Sequence, residues 1–169
     1  PCDIHQANIK GEAWTILIGL LNGKPYEVIG GLSEYVEIPR KHTEGVIRRR
    51  VRKSVPSKYD LVVGTNGDEF IIKDVVKVFD NPNHSAFTRT LSLALRHGVP
   101  VQYMVEQLQK DKDADLFSFA KVIARCLKKY IADGTKASNG VLESCCSSPN
   151  VVYQEGCATC VNCGMAKCG

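Results

Sequence analysis

The chain has 169 residues, 44% of them apolar and 24% charged, with a formal net charge of +4. This is an ordinary globular composition, which excludes a low-complexity or disordered chain, and the mild positive charge permits an anionic partner without demanding one. The longest apolar run, Ile16–Leu21, is too short to span a bilayer, and no charged and apolar leader opens the chain. The length suits one domain of about 130–140 residues with an appendage. A first residue of Pro1 rather than Met gives the expectation of a chain processed or cut from something longer.

Residues 13–21 (Ala-Trp-Thr-Ile-Leu-Ile-Gly-Leu-Leu) are rich in strand formers and apolar on both faces, as a central strand would be. Asn22-Gly23 follows, the strongest short hairpin signal, and Lys24–Ile29 is expected to return as the second strand. Residues 32–45 are mixed and predict a loop with a short helix. Val46–Lys53 carries Arg48, Arg49, Arg50, Arg52 and Lys53, a pattern that fits a solvated basic edge strand. It lacks interleaved aromatics, which argues against nucleic-acid binding. A second hairpin is expected from Tyr59–Gly64 and Glu69–Val75, turning at Asn66-Gly67.

After Asp80-Asn81-Pro82 the apolar period changes from two to 3.6. A helix is expected from near Asn83 to His97-Gly98, with Phe87, Leu91, Ala94 and Leu95 on its inner face and Gly98 and Pro100 ending it. A short helix over Val101–Leu108 follows, then a charged connector at Lys110–Asp115. The longest helix is expected over Asp115–Ala132, with Leu116, Phe119, Ala120, Ile123, Ala124, Leu127, Tyr130 and Ile131 on its core stripe. Strands first and helices second predict an α+β fold: an antiparallel sheet built from two β-hairpins, packed with about three helices, plus a C-terminal cysteine-rich ribbon. The expected division is a body over 1–134, a Gly/Ser/Lys-rich linker over 135–141 and the ribbon over 142–169.

Six of the eight cysteines lie in that ribbon: Cys145, Cys146, Cys157, Cys160, Cys163 and Cys168. Cysteines gathered at one end with a CxxC spacing point to metal or redox chemistry in a reducing, cytoplasmic compartment. A secreted disulfide scaffold would spread them through the fold. Cys160-x2-Cys163-Gly164 is half of a zinc ribbon, because a two-residue gap lets both sulfurs reach one tetrahedral ion. With zinc, the ligands would be Cys146, Cys160 and Cys163, with Cys145 or Cys157 fourth. The redox reading uses the same atoms differently. Cys163 and Cys168 on a Gly-flanked terminus could exchange electrons with a partner site, with Cys157 and Cys160 as the second choice of pair. Cys126, at the margin of the long helix's stripe, reads as a structural thiol, and Cys2 has no assigned role. His5, His42, His84 and His97 show no ligand spacing, and no Gly-rich phosphate loop, HExxH or GxSxG is present.

Several blocks together resemble the C-terminal region of adenosylcobalamin-dependent (class II) ribonucleotide reductases, a TSCPD-type domain followed by a cysteine-rich zinc-ribbon tail. They include Pro1-Cys2-Asp3-Ile4-His5, Trp14–Gly19, Gly23–Val28, Arg89–Gly98, Val105–Lys110, Phe119–Tyr130 and Tyr153-Gln154-Glu155-Gly156-Cys157-x2-Cys160-x2-Cys163-Gly164. The family's ribbon usually begins Cys-Pro-x-Cys-Gly. Here Glu143-Ser144-Cys145-Cys146-Ser147 stands at that place, so the first cysteine is absent and an extra one adjoins the second.

The resemblance implies a module or separate subunit of a ribonucleoside-diphosphate reductase that relays electrons by thiol–disulfide exchange to an active site on a separate catalytic barrel. That barrel, with its adenosylcobalamin, is not in this chain, so the chain alone would be catalytically incomplete. The implied partners are the barrel and a thioredoxin-like reductant, with zinc in this chain. The alternative is a non-catalytic zinc-ribbon module for docking or oligomerisation.

Overall fold

The structure, a computed structural model, describes residues 1–110, 118–142 and 144–168. It is α+β, with antiparallel sheets and four helices. Its contacts divide the chain into two units, Pro1–Gly98 and Val99–Gly169.

The first unit is a six-stranded antiparallel sheet: β1 (Cys2–Ile9), β2 (Glu12–Leu21), β3 (Lys24–Leu32), β4 (Glu44–Arg52), β5 (Val55–Val63) and β6 (Phe70–Ile72), in the order β3-β2-β1-β4-β5-β6. Both expected hairpins form. Asn22 and Gly23 have φ of 52° and 74°, and Asn66 and Gly67 have φ of 56° and 93°. At Asn22-Gly23 two positive φ values in succession set the twist that a two-residue hairpin needs, whereas Asn66-Gly67 lies in a longer loop between Val63 and Phe70, the facing residues that end the β5–β6 ladder. The sheet has two more hairpins, β1–β2 turning at Lys10-Gly11 and β4–β5 turning at Lys53-Ser54.

Trp14 to Gly19 are buried without a break, as expected for a strand covered on both faces. One face carries a core of Cys2, Ile4, Leu17, Ile29, Val36, Ile38, Leu61, Val63, Val75 and Phe79. On this face Gly31 is forced to be glycine by space, because a Cβ would come within 2.8 Å of the Phe79 ring.

Two helices complete this unit, α1 (Val75–Val78) and α2 (Pro82–Arg96). Only Phe70–Ile72 of the expected 69–75 strand is extended, and α1 takes over from Val75. Asn81 caps α2, its side chain accepting from the amides of Asn83 and His84 at 3.0 and 3.1 Å. The edge strand β3 is covered by this helix. Ser92 Oγ accepts from Val28 N–H at 2.9 Å and lies 3.2 Å from Val28 O. An edge that would otherwise offer open amide groups is thereby closed.

The basic run does not occupy the sheet's edge. In strand order β4 lies between β1 and β5. Its pairing to β1, however, is confined to Cys2↔Gly45 and Asp3↔Glu44, which is how so charged a strand is tolerated inside the order. Arg50 makes a two-pronged contact with the buried Asp60 of β5, and Asp60 also accepts from Asp74 N–H at 2.8 Å. These bonds hold the Asp60 carboxyl below the usual carboxylate range, Arg50 first and the Asp74 amide second.

The second unit holds α3 (Val101–Leu108), α4 (Phe119–Leu127) with a 3-10 turn over Lys128–Tyr130, and a small sheet β7 (Val151–Gln154), β8 (Cys157–Cys160) and β9 (Ala166–Lys167) in that order. The expected long helix is represented by α4, capped by Ser118. Its expected start at Asp115 and Leu116, and most of the charged connector, lie outside the described residues.

Residues 135–141 differ from the expected linker. Tyr153 N–H donates to Thr135 O, Gly134 N–H to Tyr153 O and Ala137 N–H to Val151 O, at 2.8, 2.8 and 2.9 Å. Residues 134–137 thus run antiparallel beside β7, bridged at Lys136↔Val152. Glu106 of α3 fixes this segment further, accepting from Gln102 at 3.0 Å and from Ser138 N–H and Tyr153 OH at 3.1 Å. The expected body boundary at 134 falls within the second unit, Val99–Gly169.

Candidate metal and dithiol centre

The cysteine-rich segment folds locally as two hairpins sharing β8. The β7–β8 turn is Glu155-Gly156, with φ of 49° and 76°. Asp133 anchors it by accepting from Glu155 N–H at 2.7 Å. The second turn is the knuckle itself. Gly164 has φ of 77°, and its N–H returns to Cys160 O at 2.8 Å, while Cys160 N–H donates to Met165 O at 2.8 Å. Both ends of Cys160-Val161-Asn162-Cys163 are therefore closed by backbone, which turns the two sulfurs to the same side.

The sulfurs of Cys145, Cys146, Cys160 and Cys163 all lie within 4.8 Å of one another. Cys146 Sγ is 4.0 Å from both Cys145 Sγ and Cys160 Sγ. A tetrahedral ion with metal–sulfur bonds of about 2.3 Å needs sulfurs roughly 3.8 Å apart. The four thiols are thus positioned to hold a metal ion with small adjustment.

Burial grades across the cluster. Cys160 is fully buried, Cys145 and Cys146 are half-buried and Cys163 is exposed. Backbone hydrogen bonds from Asn150 and Cys163 draw the Cys160 thiol down to about 6. Cys145 is pushed up to about 12, chiefly by its hydrogen bond to Cys163. Cys146 is also raised: the Ser148 backbone bond pulls it down, but burial and its bonds to Cys160 and Cys163 outweigh that. Cys160 is thus the favoured thiolate beside two reluctant neighbours, Cys145 and Cys146. A divalent ion would deprotonate them together.

The remaining two ribbon cysteines are joined to each other. Cys157 and Cys168 form a disulfide with Cα atoms 4.3 Å apart. Their pairing follows from strand register. Ala158 faces Lys167 and Thr159 faces Ala166, so the next facing pair is Cys157 and Cys168. Cys160 and Met165 exchange a backbone bond, which puts 157 and 168 at a non-hydrogen-bonded position, where side chains come closest. Cys168 is exposed and Cys157 half-buried. Lys128, whose ammonium bonds to Cys168 O, brings positive charge to the pair.

The structure therefore sorts the expected site residues in its own way. Cys145, Cys146, Cys160 and Cys163 come together as a metal set. Cys163 and Cys168 are not paired with each other, nor are Cys157 and Cys160. Each expected dithiol gives one member to the cluster and one to the disulfide. The 157–168 pairing could be found from sequence only by first predicting β9, a strand of two residues. Cys2 and Cys126 stand apart from this chemistry. Both are buried, and burial pushes each thiol up to about 11, so they remain neutral.

A concavity of about 590 Å³ lies in the first unit, its charged lining being Glu27, Asp74, Asp80, Lys77, Arg89 and Arg96. Glu27 and Arg96 close on each other at 2.7 Å, and acids and bases on its wall balance, so it has no marked preference for a charged ligand. Among the described residues no helix is long and apolar enough to cross a membrane.

Comparison with known proteins agrees with the residues. The family model NrdJ homologue C-terminal domain matches residues 1–132. No curated protein and no solved structure matches the chain. The match covers all of the first unit together with α3 and α4, and stops short of the metal and dithiol centre. The chain belongs to the NrdJ homologue C-terminal domain family, a domain related to the C-terminal region of class II ribonucleotide reductases.

Proposed function

We propose that this chain is the electron-relay module of a class II ribonucleoside-diphosphate reductase, working beside a separate adenosylcobalamin-dependent barrel in the cytoplasm. The observation that carries this reading is the division of the six ribbon cysteines into four clustered sulfurs and one cross-strand pair whose Cys168 is exposed. The cluster of Cys145, Cys146, Cys160 and Cys163 would hold zinc, a redox-silent ion that ties residues with almost no core of their own to a fixed shape. That frees Cys157 and Cys168 for exchange. Of the earlier candidates, Cys168 keeps its redox role and Cys163 passes to the metal.

The exchange balances as follows. In the reduced form one thiolate of the pair attacks the disulfide left on the barrel after turnover, forming a mixed disulfide and releasing one barrel thiol. The second thiol of the pair then attacks the mixed disulfide. The barrel leaves as a dithiol and Cys157–Cys168 is restored. A thioredoxin-like dithiol returns the pair to its reduced state and is itself oxidised.

The test is turnover by the assembled reductase. Replacing Cys168 by Ser should abolish activity supported by a thioredoxin-class dithiol and spare activity supported by dithiothreitol. Equal loss under both reductants would reject the relay. The second reading, a purely structural zinc-ribbon docking module, is favoured by the cluster alone, and it predicts no effect of Cys168→Ser under either reductant.

A further inference from the structure

The β8–β9 hairpin carries two cross-links. Its turn is the knuckle Cys160-Val161-Asn162-Cys163, which supplies two of the four clustered sulfurs. Its open end carries the Cys157–Cys168 disulfide. The two strands are not held alike. On its other side β8 pairs with β7 from Val151↔Cys160 to Gln154↔Cys157, and Cys160 is fully buried. The β9 ladder is only Ala158↔Lys167 and Thr159↔Ala166, and Met165, Ala166, Lys167 and Cys168 are all exposed.

So short a strand, with no buried side chain, does not stay on its neighbour by pairing alone. What holds β9 is its two ends. At the knuckle, Gly164 N–H donates to Cys160 O and Cys160 N–H to Met165 O, each at 2.8 Å. These bonds set the direction of Cys163, an exposed ligand that burial does not hold. Cys145 and Cys146 reach the cluster from outside the hairpin. Their segment is tied to the knuckle by Asn162 Nδ2 donating to Ser148 O, and by Val161 N–H donating to Asn150 O at 2.8 Å. A break in the disulfide therefore acts first on residues 164–168, and through them on Cys163.

We propose that the disulfide and the metal centre are coupled. The closed Cys157–Cys168 bond raises the affinity of Cys145, Cys146, Cys160 and Cys163 for a divalent ion, and the bound ion makes the disulfide harder to reduce. The inference rests on the metal assignment proposed above and does not need the relay. The disulfide removes in advance chain entropy that ion binding would otherwise have to overcome. Its cysteines are 11 residues apart in sequence. Closing a loop of about that size is worth at most roughly a hundredfold in an equilibrium constant. The backbone pairs already supply part of the order, which leaves a coupling of about tenfold. Coupling is reciprocal, so one factor governs both equilibria. The reduced form is then the looser one, in which β9 can leave β8 while the ion stays bound.

The test uses the full chain with zinc alone as probe. Chelator competition measures the zinc dissociation constant of the disulfide form, of the same protein reduced with a phosphine, and of the double variant Cys157→Ser with Cys168→Ser. The reduced protein and the variant should each bind zinc about tenfold more weakly than the disulfide form. Hydrogen exchange at the Tyr153 amide checks that the variant is folded, and the reduced protein, which carries no substitution, decides the matter if it is not. The converse measurement is a glutathione titration. There Cys157 and Cys168 give two electrons and two protons to glutathione disulfide, which becomes two thiols as their own sulfur–sulfur bond forms. Differential alkylation with peptide mapping reads those two residues alone. The midpoint at saturating zinc should lie about 30 mV below the midpoint with zinc chelated, the equivalent of tenfold for a two-electron couple. Equal zinc affinity of the disulfide and reduced forms, or a midpoint that zinc does not lower, would overturn the proposal and leave the metal assignment standing. Failure of the disulfide form to bind zinc tightly would overturn both.

Discussion

Ser92 offers the cleanest test of how the first unit is closed. Its hydroxyl accepts from Val28 N–H at 2.9 Å and can give its single proton to Thr88 O at 2.7 Å or Val28 O at 3.2 Å. Ser92 and Val28 are 4% and 1% exposed, so water cannot replace the hydroxyl. In Ser92→Ala the Val28 amide keeps its burial and loses its acceptor, at a cost of about 1–3 kcal/mol. Alanine returns up to roughly 0.5 kcal/mol as the better helix former. The net loss is about 0.5–3 kcal/mol, which for a unit of this size lowers Tm by roughly 2–24 °C. Urea unfolding followed by Trp14, the single tryptophan and a residue of this unit, measures it directly. Thr90→Ala is the control, since its exposed hydroxyl only bonds back to Ala86 O at 3.0 Å. If Ser92→Ala costs no more than Thr90→Ala, the serine does not close the β3 edge and this description of the unit is wrong.

Gly31→Ala should cost about 1–3 kcal/mol by overpacking, since the new methyl meets the Phe79 ring at 2.8 Å; an unchanged urea midpoint would show that Phe79 moves freely. The depressed Asp60 carboxyl makes stability depend on pH in a known direction. Its folded value lies below its unfolded one, so its contribution is complete above the unfolded value near pH 4 and is lost as pH falls through the folded value. Asp60→Asn should therefore flatten the acid limb of the stability curve, and an acid limb of unchanged slope would show that other carboxylates set it. Cys145→Ser should abolish tight zinc binding, while Cys157→Ser and Cys168→Ser should retain it, as read by a colorimetric zinc-release assay.

Much of the fold was legible because its turns carry their own chemistry. Asn22-Gly23 and Asn66-Gly67 announce hairpins, since asparagine and glycine accept the positive φ that others resist. The β1–β2 hairpin was not legible for the same reason in reverse: it turns at Lys10-Gly11, and lysine gives no such signal. Residues 135–141 look like a linker by composition, because only Ala137 among them is buried. What holds them is backbone pairing to β7 and the Glu106 carboxylate, neither of which leaves an apolar pattern. At the site, the CxxC knuckle was readable because two-residue spacing is a local constraint. The fourth ligand was narrowed to Cys145 or Cys157 and no further. The choice depends on register across β8 and β9, and Cys157 is taken by Cys168 from the strand opposite.

The account rests on two separate fates for the ribbon sulfurs, and native mass spectrometry with non-reducing peptide mapping tests that most directly. One ion per chain should be present, with Cys157 and Cys168 cross-linked. Treatment with a thioredoxin-class dithiol should add two hydrogens without releasing the ion. A disulfide involving Cys145, Cys146, Cys160 or Cys163 in the purified protein, or loss of the ion on that mild reduction, would contradict it.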